Sequence, residues 1–450
     1  MATLTKAISG WGRYPVQSCE LERPERYSDL SPSTTSVIAR GQGRSYGDAA
    51  LNENRRVVLT ERVNRFLDLD PSKGILRAEA GVTLAEILDV IVPEGWFLPV
   101  TPGTKFVSLG GCIAADVHGK NHHHEGSFGA HVLAIELILA DSRRVTCSAT
   151  EQPDTFWATV GGMGLTGIIG EVTLQLIPIQ SAYVKVQHHP AQNLEQLFQQ
   201  LQDPAIDDRY SVAWIDCLAT GSSLGRGVVM CGHHATTEEL PAGIAPFTVE
   251  HKRKRSIPFD LPAWALNPFS VGAFNAIYYR QEGGKQAPFL SGYDSFFYPL
   301  DAISDWNRLY GKQGFVQYQC VIPDQTAFEG IKTLLTVLSS SRRASFLAVL
   351  KRFGAQGSGM LSFPMAGYTL ALDLPVRDAA LFTMLEKLDQ IVIQHGGRVY
   401  LAKDARLSAA SFQAMYPRYR AWRQIKNGID PTNRFSSSLS RRLKIGEPHE

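Results

Sequence analysis

The sequence predicts an α+β protein of two domains, and three observations carry that reading. Between residues 35 and 178, short β-rich runs alternate with glycine-rich turns and few helices. From about residue 181 the texture changes to strands and amphipathic helices in series, which suggests an antiparallel sheet with helices on one face. At 450 residues and 44% hydrophobic, the chain is long enough to bury two cores.

In chain order, residues 36–39 and 57–59 read as strands on either side of a glycine-rich stretch. Thr83, with Glu86 three residues later, is a capping-box start for a helix through Ile91. Residues 132–140 and 144–147 flank the turn pair Asp141-Ser142 and predict a hairpin. Asp154 is the expected cap of a short helix over 156–160, followed by the glycine cluster 161–167 and a strand over 171–176. In the second part, 182–188 predicts a strand, 193–202 a helix and 212–217 a strand. The regular series then runs 315–322 (strand), 326–339 (helix), 344–350 and 368–374 (strands), 378–395 (helix) and 398–401 (strand). Gly396-Gly397 suits the C-cap of the last of those helices. Residues 408–426 predict a closing helix, and Asp430-Pro431 a turn that stops it.

Two glycine-rich stretches carry the chemical signal. The first is Arg40-Gly41-Gln42-Gly43-Arg44-Ser45-Tyr46-Gly47-Asp48. The second is Pro102-Gly103-Thr104, running on through Gly110-Gly111 to His118-Gly119-Lys120-Asn121-His122. Glycine lets backbone N–H groups turn inward and approach an anion, so such loops cradle phosphates. Two of them in one region predict a cofactor with a pyrophosphate and a long body. A Rossmann site fails on context, because that fingerprint needs strand, glycines and then a helix facing the pyrophosphate. Here Gly41-x-Gly43 leads to a second strand-like run and not to an amphipathic helix.

Composition narrows the classes. A net charge of +2 argues against nucleic-acid binding, which leaves a stronger basic footprint. The six cysteines at 19, 112, 147, 217, 231 and 320 form no CxxC pair, which reads as reduced thiols. The first residues lack the apolar core of a signal peptide, and no run approaches the roughly 18 apolar residues of a membrane span. The expected location is therefore cytoplasmic. The triplet His122-His123-His124 predicts no metal, since successive side chains diverge on an extended chain and no Cys or carboxylate stands at ligand spacing. One segment stands apart: His251-Lys252-Arg253-Lys254-Arg255, then Phe259, Trp264, Leu266, Phe269, Phe274 and Ile277 among three prolines. It fits a solvated basic turn leading to core packing. It also fits a lid whose cations meet anionic headgroups at an inner-membrane surface while its aromatics rest among acyl chains.

Further motifs join these: Phe156-Trp157-Ala158-Thr159-Val160-Gly161-Gly162, Gly164-Leu165-Thr166-Gly167-Ile168-Ile169, Gln317-Tyr318-Gln319, Ala402-Lys403-Asp404 and Asp430-Pro431 with Phe435. Together with the two loops they resemble the vanillyl-alcohol-oxidase class of FAD-binding oxidoreductases and, within it, the decaprenylphosphoryl-ribose 2-oxidase family. The likeness extends from Gly10-Trp11-Gly12 to Arg441-Arg442-Leu443.

The resemblance implies a PCMH-type FAD-binding fold with residues 1–180 as the FAD domain, 181–404 as an inserted substrate domain and 405–450 completing the first. It implies that Arg40, Gly41, Gln42, Gly43, Arg44, Ser45, Tyr46 and Gly47 wrap the pyrophosphate. Pro102, Gly103, Thr104, Gly110, Gly111 and Ala114 would line the flavin and its ribityl chain, with Asn121, His122 and Gly167 also at the cofactor and Ile169 near the adenine side. Wider relatives carry a flavin-bonded histidine where Arg44 stands, so the expected FAD is non-covalent. Lys403 is the leading candidate for contact with the reacting hydroxyl, since a partly desolvated lysine has a lowered pKa and can act as a base. His118, a second catalytic candidate, and Lys120 fall at the implied substrate pocket near the flavin, and the resemblance places His118 and Lys403 at the cofactor as well. Gln317 and Gln319 share one face of a strand, and Lys351 and Tyr400 are further pocket candidates. Ala371, Thr369 and Phe297 stand where relatives carry cysteine, asparagine and tyrosine.

The implied reaction is oxidation of the ribose 2-hydroxyl of a polyprenyl-phosphoryl-β-D-ribose to a 2-keto sugar. A short-chain NAD(P)-dependent reductase would complete epimerisation to the arabinose, and a quinone or O2 would reoxidise the flavin. Two rivals stand beside it: a soluble alditol or aldonolactone oxidase of the same flavin class, and a catalytically idle flavin-binding platform.

Overall fold

The computed structural model describes residues 3–32, 35–206, 208–248, 255–262, 264–343, 345 and 347–446. The first sheet has the spatial order Leu4–Ser9, Val16–Glu22, Arg56–Leu59, Val37–Arg40. Its last two strands run parallel, yet no helix links them. The connection is the first glycine-rich stretch itself. A second sheet, antiparallel throughout, orders Phe66–Asp70, Ile75–Glu79, Ile168–Gln175, Val132–Ile138 and Arg144–Cys147.

The largest sheet has eight strands: Phe289–Gly292, Tyr183–Ala191, Gly227–His234, Tyr210–Ile215, Ala348–Phe353, Gly367–Pro375, Phe315–Pro323 and Arg398–Val399. Every neighbouring pair is antiparallel. The helices Leu194–Gln202, Ala327–Ser341 and Ala379–Gln394 cover one face, burying Leu197, Leu334 and Leu385 in a shared core. Asn193 and Asp378 cap two of them by accepting hydrogen bonds from backbone N–H groups in the first turn. Along Gly227–His234, Val229 and Cys231 enter that core. Val228 and Met230 therefore face the other way, toward a further helix, Pro268–Gly283.

The Thr83 capping box is present, with Glu86 accepting from the Thr83 N–H at 2.8 Å. Three expected elements are corrected. The helix Pro153–Thr159 starts after Gln152, which makes no side-chain cap bond, and Asp154 lies inside its first turn because Pro153 with its fixed φ occupies the first helical position. The closing helix is two, Ala409–Met415 and Tyr419–Ile429. Pro417 lies between them, lacks an N–H and pushes Tyr416 out of helical geometry. The strand expected at 344–350 is Ala348–Phe353, which brings Lys351 into the sheet. Of the basic run, residues 251–254 lie outside the described residues. Among the described residues no helix is long and apolar enough to cross a membrane.

Candidate active site

Period-two alternation places one set of side chains on the sheet face opposite the three covering helices, and the register sets them side by side. Gln317 pairs with Asp373, Gln319 with Ala371, and Lys351 with Thr369. Ala371 also pairs with Val349, and Val349 with Trp214, so one file crosses four strands. Gln317, Gln319, Lys351, Ala371, Val349 and Trp214 line a cavity of about 410 Å3, within the range of ligand clefts, with Asp373 and Thr369 behind them.

The glycine-rich stretches supply much of the opposite wall: Gly41, Gln42, Gly43, Arg44, Ser45 and Tyr46, then Pro102, Gly103, Thr104, Gly110, Gly111, Ala114, His118 and Lys120, with Gly167 and Ile169. Four residues expected at the cofactor, Arg40, Gly47, Asn121 and His122, do not line the cavity and make contacts within the protein. The Arg40 guanidinium donates to the carbonyls of Ser9 (2.7 Å) and Ala50 (3.3 Å). It lies against Gly43, which has φ +62° and whose added Cβ would come within 2.1 Å of it. An added Cβ on Gly47 would sit 1.7 Å from the Asp404 carbonyl oxygen, so that glycine serves close packing. Asn121 donates to the Pro99 carbonyl at 2.7 Å. His122 accepts from the Gly354 N–H through Nδ1 at 3.1 Å. His122 to Glu125 form a helical turn, not the extended run the sequence suggested.

Whether FAD fits can be asked of the polar groups. The N–H groups of Gln42, Gly43, Arg44 and Ser45 meet no acceptor among the described residues, and all four residues line the cavity. His118 Nδ1 is buried without a partner. A buried imidazole nitrogen seldom goes unsatisfied, and turned, unpaired backbone amides of this kind suit a pyrophosphate. The residues fit the cofactor. The Arg44 guanidinium lies 4.1 Å over the Trp11 ring.

Cations dominate the sheet side. The Lys403 ammonium lies 3.8 Å from the Tyr46 ring centroid. Burial holds its pKa well below the ordinary lysine range, against the upward pull of Asp373. Burial also pushes Lys351 down to about 8. Lys120 is pushed down to about 7 by burial and by Lys351. Its ammonium donates to the Phe296 carbonyl and lies 4.0 Å over that residue's ring. His118 is held well below its ordinary value by burial, with Lys351 adding to it, so the imidazole is neutral. Its Nε2 accepts from the Gln319 amide at 2.9 Å, which leaves the proton on Nδ1. Gln319 donates also to Thr369 Oγ1 at 3.2 Å.

Asp373 is the residue that sequence reading passed over. Its carboxylate accepts from the Gln317 amide at 2.6 Å and the Tyr310 hydroxyl at 3.3 Å, and burial pushes its pKa up. The available signal was its register, directly opposite Gln317 and two residues beyond Ala371. Lys403 does not pair with its neighbour Asp404. Arg442 instead joins Asp404 (2.8 Å) to Asp48 (2.7 Å). Tyr400 offers the cavity only its ring, because its hydroxyl donates to the Ala115 carbonyl at 2.8 Å.

Comparison with known proteins bears on both walls. Residues 31–148 match the FAD binding domain family, and residues 373–443 match the D-arabinono-1,4-lactone oxidase family. The decaprenylphosphoryl-beta-D-ribose oxidase of Mycolicibacterium smegmatis is 36% identical over 455 residues, covering 98% of each chain. An uncharacterised protein of Streptomyces coelicolor is 34% identical over 374 residues, 81% of this chain and 100% of its own. Human Delta(24)-sterol reductase is 32% identical over 130 residues, 29% of this chain and 25% of its own, a likeness of one part only. The resemblance to the mycolicibacterial protein runs end to end, through the glycine cradle and the lysine-bearing sheet alike. On that ground the chain belongs to the decaprenylphosphoryl-β-D-ribose oxidase family of FAD-dependent oxidoreductases.

Proposed function

We propose that this protein oxidises the ribose 2-hydroxyl of a polyprenyl-phosphoryl-β-D-ribose to the 2-keto sugar. The observation that carries the reading is three half-buried lysines, Lys120, Lys351 and Lys403, lining one cavity beside a neutral imidazole. A cavity with so much desolvated positive charge suits an anionic substrate. The substrate named for the mycolicibacterial relative is of that kind.

Residues 1–180 with 405–450 would hold FAD, and 181–404 would form the substrate side. The amides of residues 42–45 would hold the pyrophosphate, Thr104, Gly110, Gly111 and Ala114 the ribityl and ring portion, and Ile169 the adenine side. FAD, when bound, supplies the hydride acceptor. Arg44 has no imidazole, so the cofactor is held without a covalent bond at that position. Lys403, in its neutral form, takes the proton of the reacting hydroxyl. The His118 Nδ1–H donates to a sugar oxygen, and Gln319 fixes that tautomer. Lys120 and Lys351 meet the phosphate, and Gln317 holds Asp373 in place beside Lys403. The 2-keto product would need a nicotinamide-dependent reductase to complete epimerisation, and the reduced cofactor a quinone or O2 to take its electrons, at a cytoplasmic membrane surface.

The match of residues 373–443, which contain both Asp373 and Lys403, favours a second reading, an aldonolactone or alditol oxidase. Anaerobic bleaching of the flavin band decides between them. The proposal expects bleaching by a prenyl-phosphoryl ribose and none by ribitol, xylitol or a pentonolactone. The reverse order overturns it, and bleaching by none of them would favour an idle platform.

A further inference from the structure

The helix Pro268–Gly283 carries large apolar side chains on both its inner and outer sides over its first three turns, although it lies at the surface. Its inner side is fixed: Val271 is 2% exposed, and the buried Asn275 amide donates to Asp216 at 2.7 Å. Tyr278 packs on Trp214 with ring centroids 4.8 Å apart, and both line the cavity. Its outer side shows Phe269 at 86%, Ile277 at 57% and Phe274 at 44% exposure, with Trp264 at 75% just before it. Apolar side chains of this size grouped in water mark a surface built for an apolar occupant.

What occupies it is indicated by continuity with the cavity. Phe274 stacks on Tyr278 at 5.7 Å and 25°, so rings run unbroken from the exposed face through Tyr278 to Trp214 on the cavity wall. From Trp214 the sheet register leads through Val349 and Ala371 to Gln319 and His118. That is three strand spacings, about 14 Å. The Gln319 end of this file is polar, with His118 bonded to Gln319, and the Trp214 end is apolar, with Met230 and Leu347 lining the same cavity. A ligand that fits both ends has an anionic head and a hydrocarbon tail. On the reading proposed above, we infer that the prenyl chain of the substrate leaves the cavity over Trp214 and Tyr278 and continues along Phe274 and Ile277 to the lipid surface.

The test compares two ribose substrates that differ only in tail, one of two isoprene units and one of ten, presented in detergent micelles. The flavin-loaded double variant Phe274→Ser, Ile277→Ser is expected to lose about tenfold in the ratio of kcat/KM for long over short tail. A prenyl phosphate carrying a terminal photoreactive benzophenone is expected to label the peptide 268–283 of the full protein, with or without FAD. An unchanged ratio, or labelling elsewhere, overturns the path. Concentration-dependent dimerisation lost in the variant, with the ratio intact, assigns the face to a second copy and also overturns it. If wild type oxidises neither substrate, the underlying functional reading fails instead, and the photolabelling still reports on the path.

Discussion

Lys403 offers the sharpest perturbation, because its surroundings separate the roles of base and charge. Its ammonium lies 3.8 Å over Tyr46 in a buried setting that disfavours the charged form. The sign follows directly. The amine becomes a competent base as pH rises through its lowered pKa, so substrate-driven flavin reduction rises with pH well below the ordinary lysine range and then levels off. Lys403→Met keeps the length of the side chain and its packing on Tyr46 but has no proton acceptor. Lys403→Arg keeps the charge, yet guanidinium stays protonated at every accessible pH. Losing a positioned general base costs about 10²–10⁴-fold, or roughly 3–5 kcal/mol of barrier. Both variants are expected to bind FAD, to show this loss in anaerobic stopped-flow reduction, and to lose the rising limb. A flavin-loaded Lys403→Arg protein within about tenfold of wild type, with the limb intact, would refute the assignment of the base.

Three other outcomes are expected. Asp373→Asn removes the anion that pulls the Lys403 pKa up, so the rising limb in flavin reduction moves to lower pH; a limb that stays or moves up excludes the coupling. Arg442→Ala leaves the buried carboxylates of Asp48 and Asp404 facing each other, at a cost of about 3–5 kcal/mol read as a lowered Tm. Burial pushes the Asp404 carboxyl up, but Arg442 and Arg406 outweigh it and hold the pKa below the ordinary range. Stability from Asp404 is therefore present above the unfolded aspartate value and lost as pH falls through the folded one, so the gap between variant and wild type narrows in acid. Acid precipitation of the loaded protein is expected to leave all flavin in the supernatant; a yellow pellet would show a covalent bond despite Arg44.

The glycine loops were legible because their backbone demands are local. A strand, closely spaced glycines and a second strand exclude the Rossmann arrangement without any tertiary knowledge. The structure agrees, with no helix between Val37–Arg40 and Arg56–Leu59. Gln317 and Gln319 were legible by the same token, since period two is written in the chain. The protein contacts of Arg40, Gly47, Asn121 and His122 were not legible, because what packs behind such a loop is set by distant parts of the chain. For Gly47 that is the Asp404 backbone, some 350 residues away in sequence. Asp373 was missed for a related reason. A lone aspartate in an apolar strand carries no sign of its partners until register sets it opposite Gln317.

That long-range packing bears on how the base is placed. The Tyr46 N–H donates to the Ala402 carbonyl at 3.0 Å on one side of Lys403, and Gly47 packs on the Asp404 carbonyl on the other. Arg442 then binds the Asp404 carboxylate to that of Asp48, immediately after the same loop. The residue proposed to take the proton is thus clamped, before and after, by the loop proposed to hold the pyrophosphate. Each clamp joins segments that are distant in the chain, so neither wall is finished without the other. One loop serves both binding and placement of the base, so a substitution that shifts residues 46–48 should disturb flavin affinity and proton transfer together. This coupling also gives a physical reason for a likeness to the mycolicibacterial relative that spans the whole chain and is not confined to the FAD-binding part.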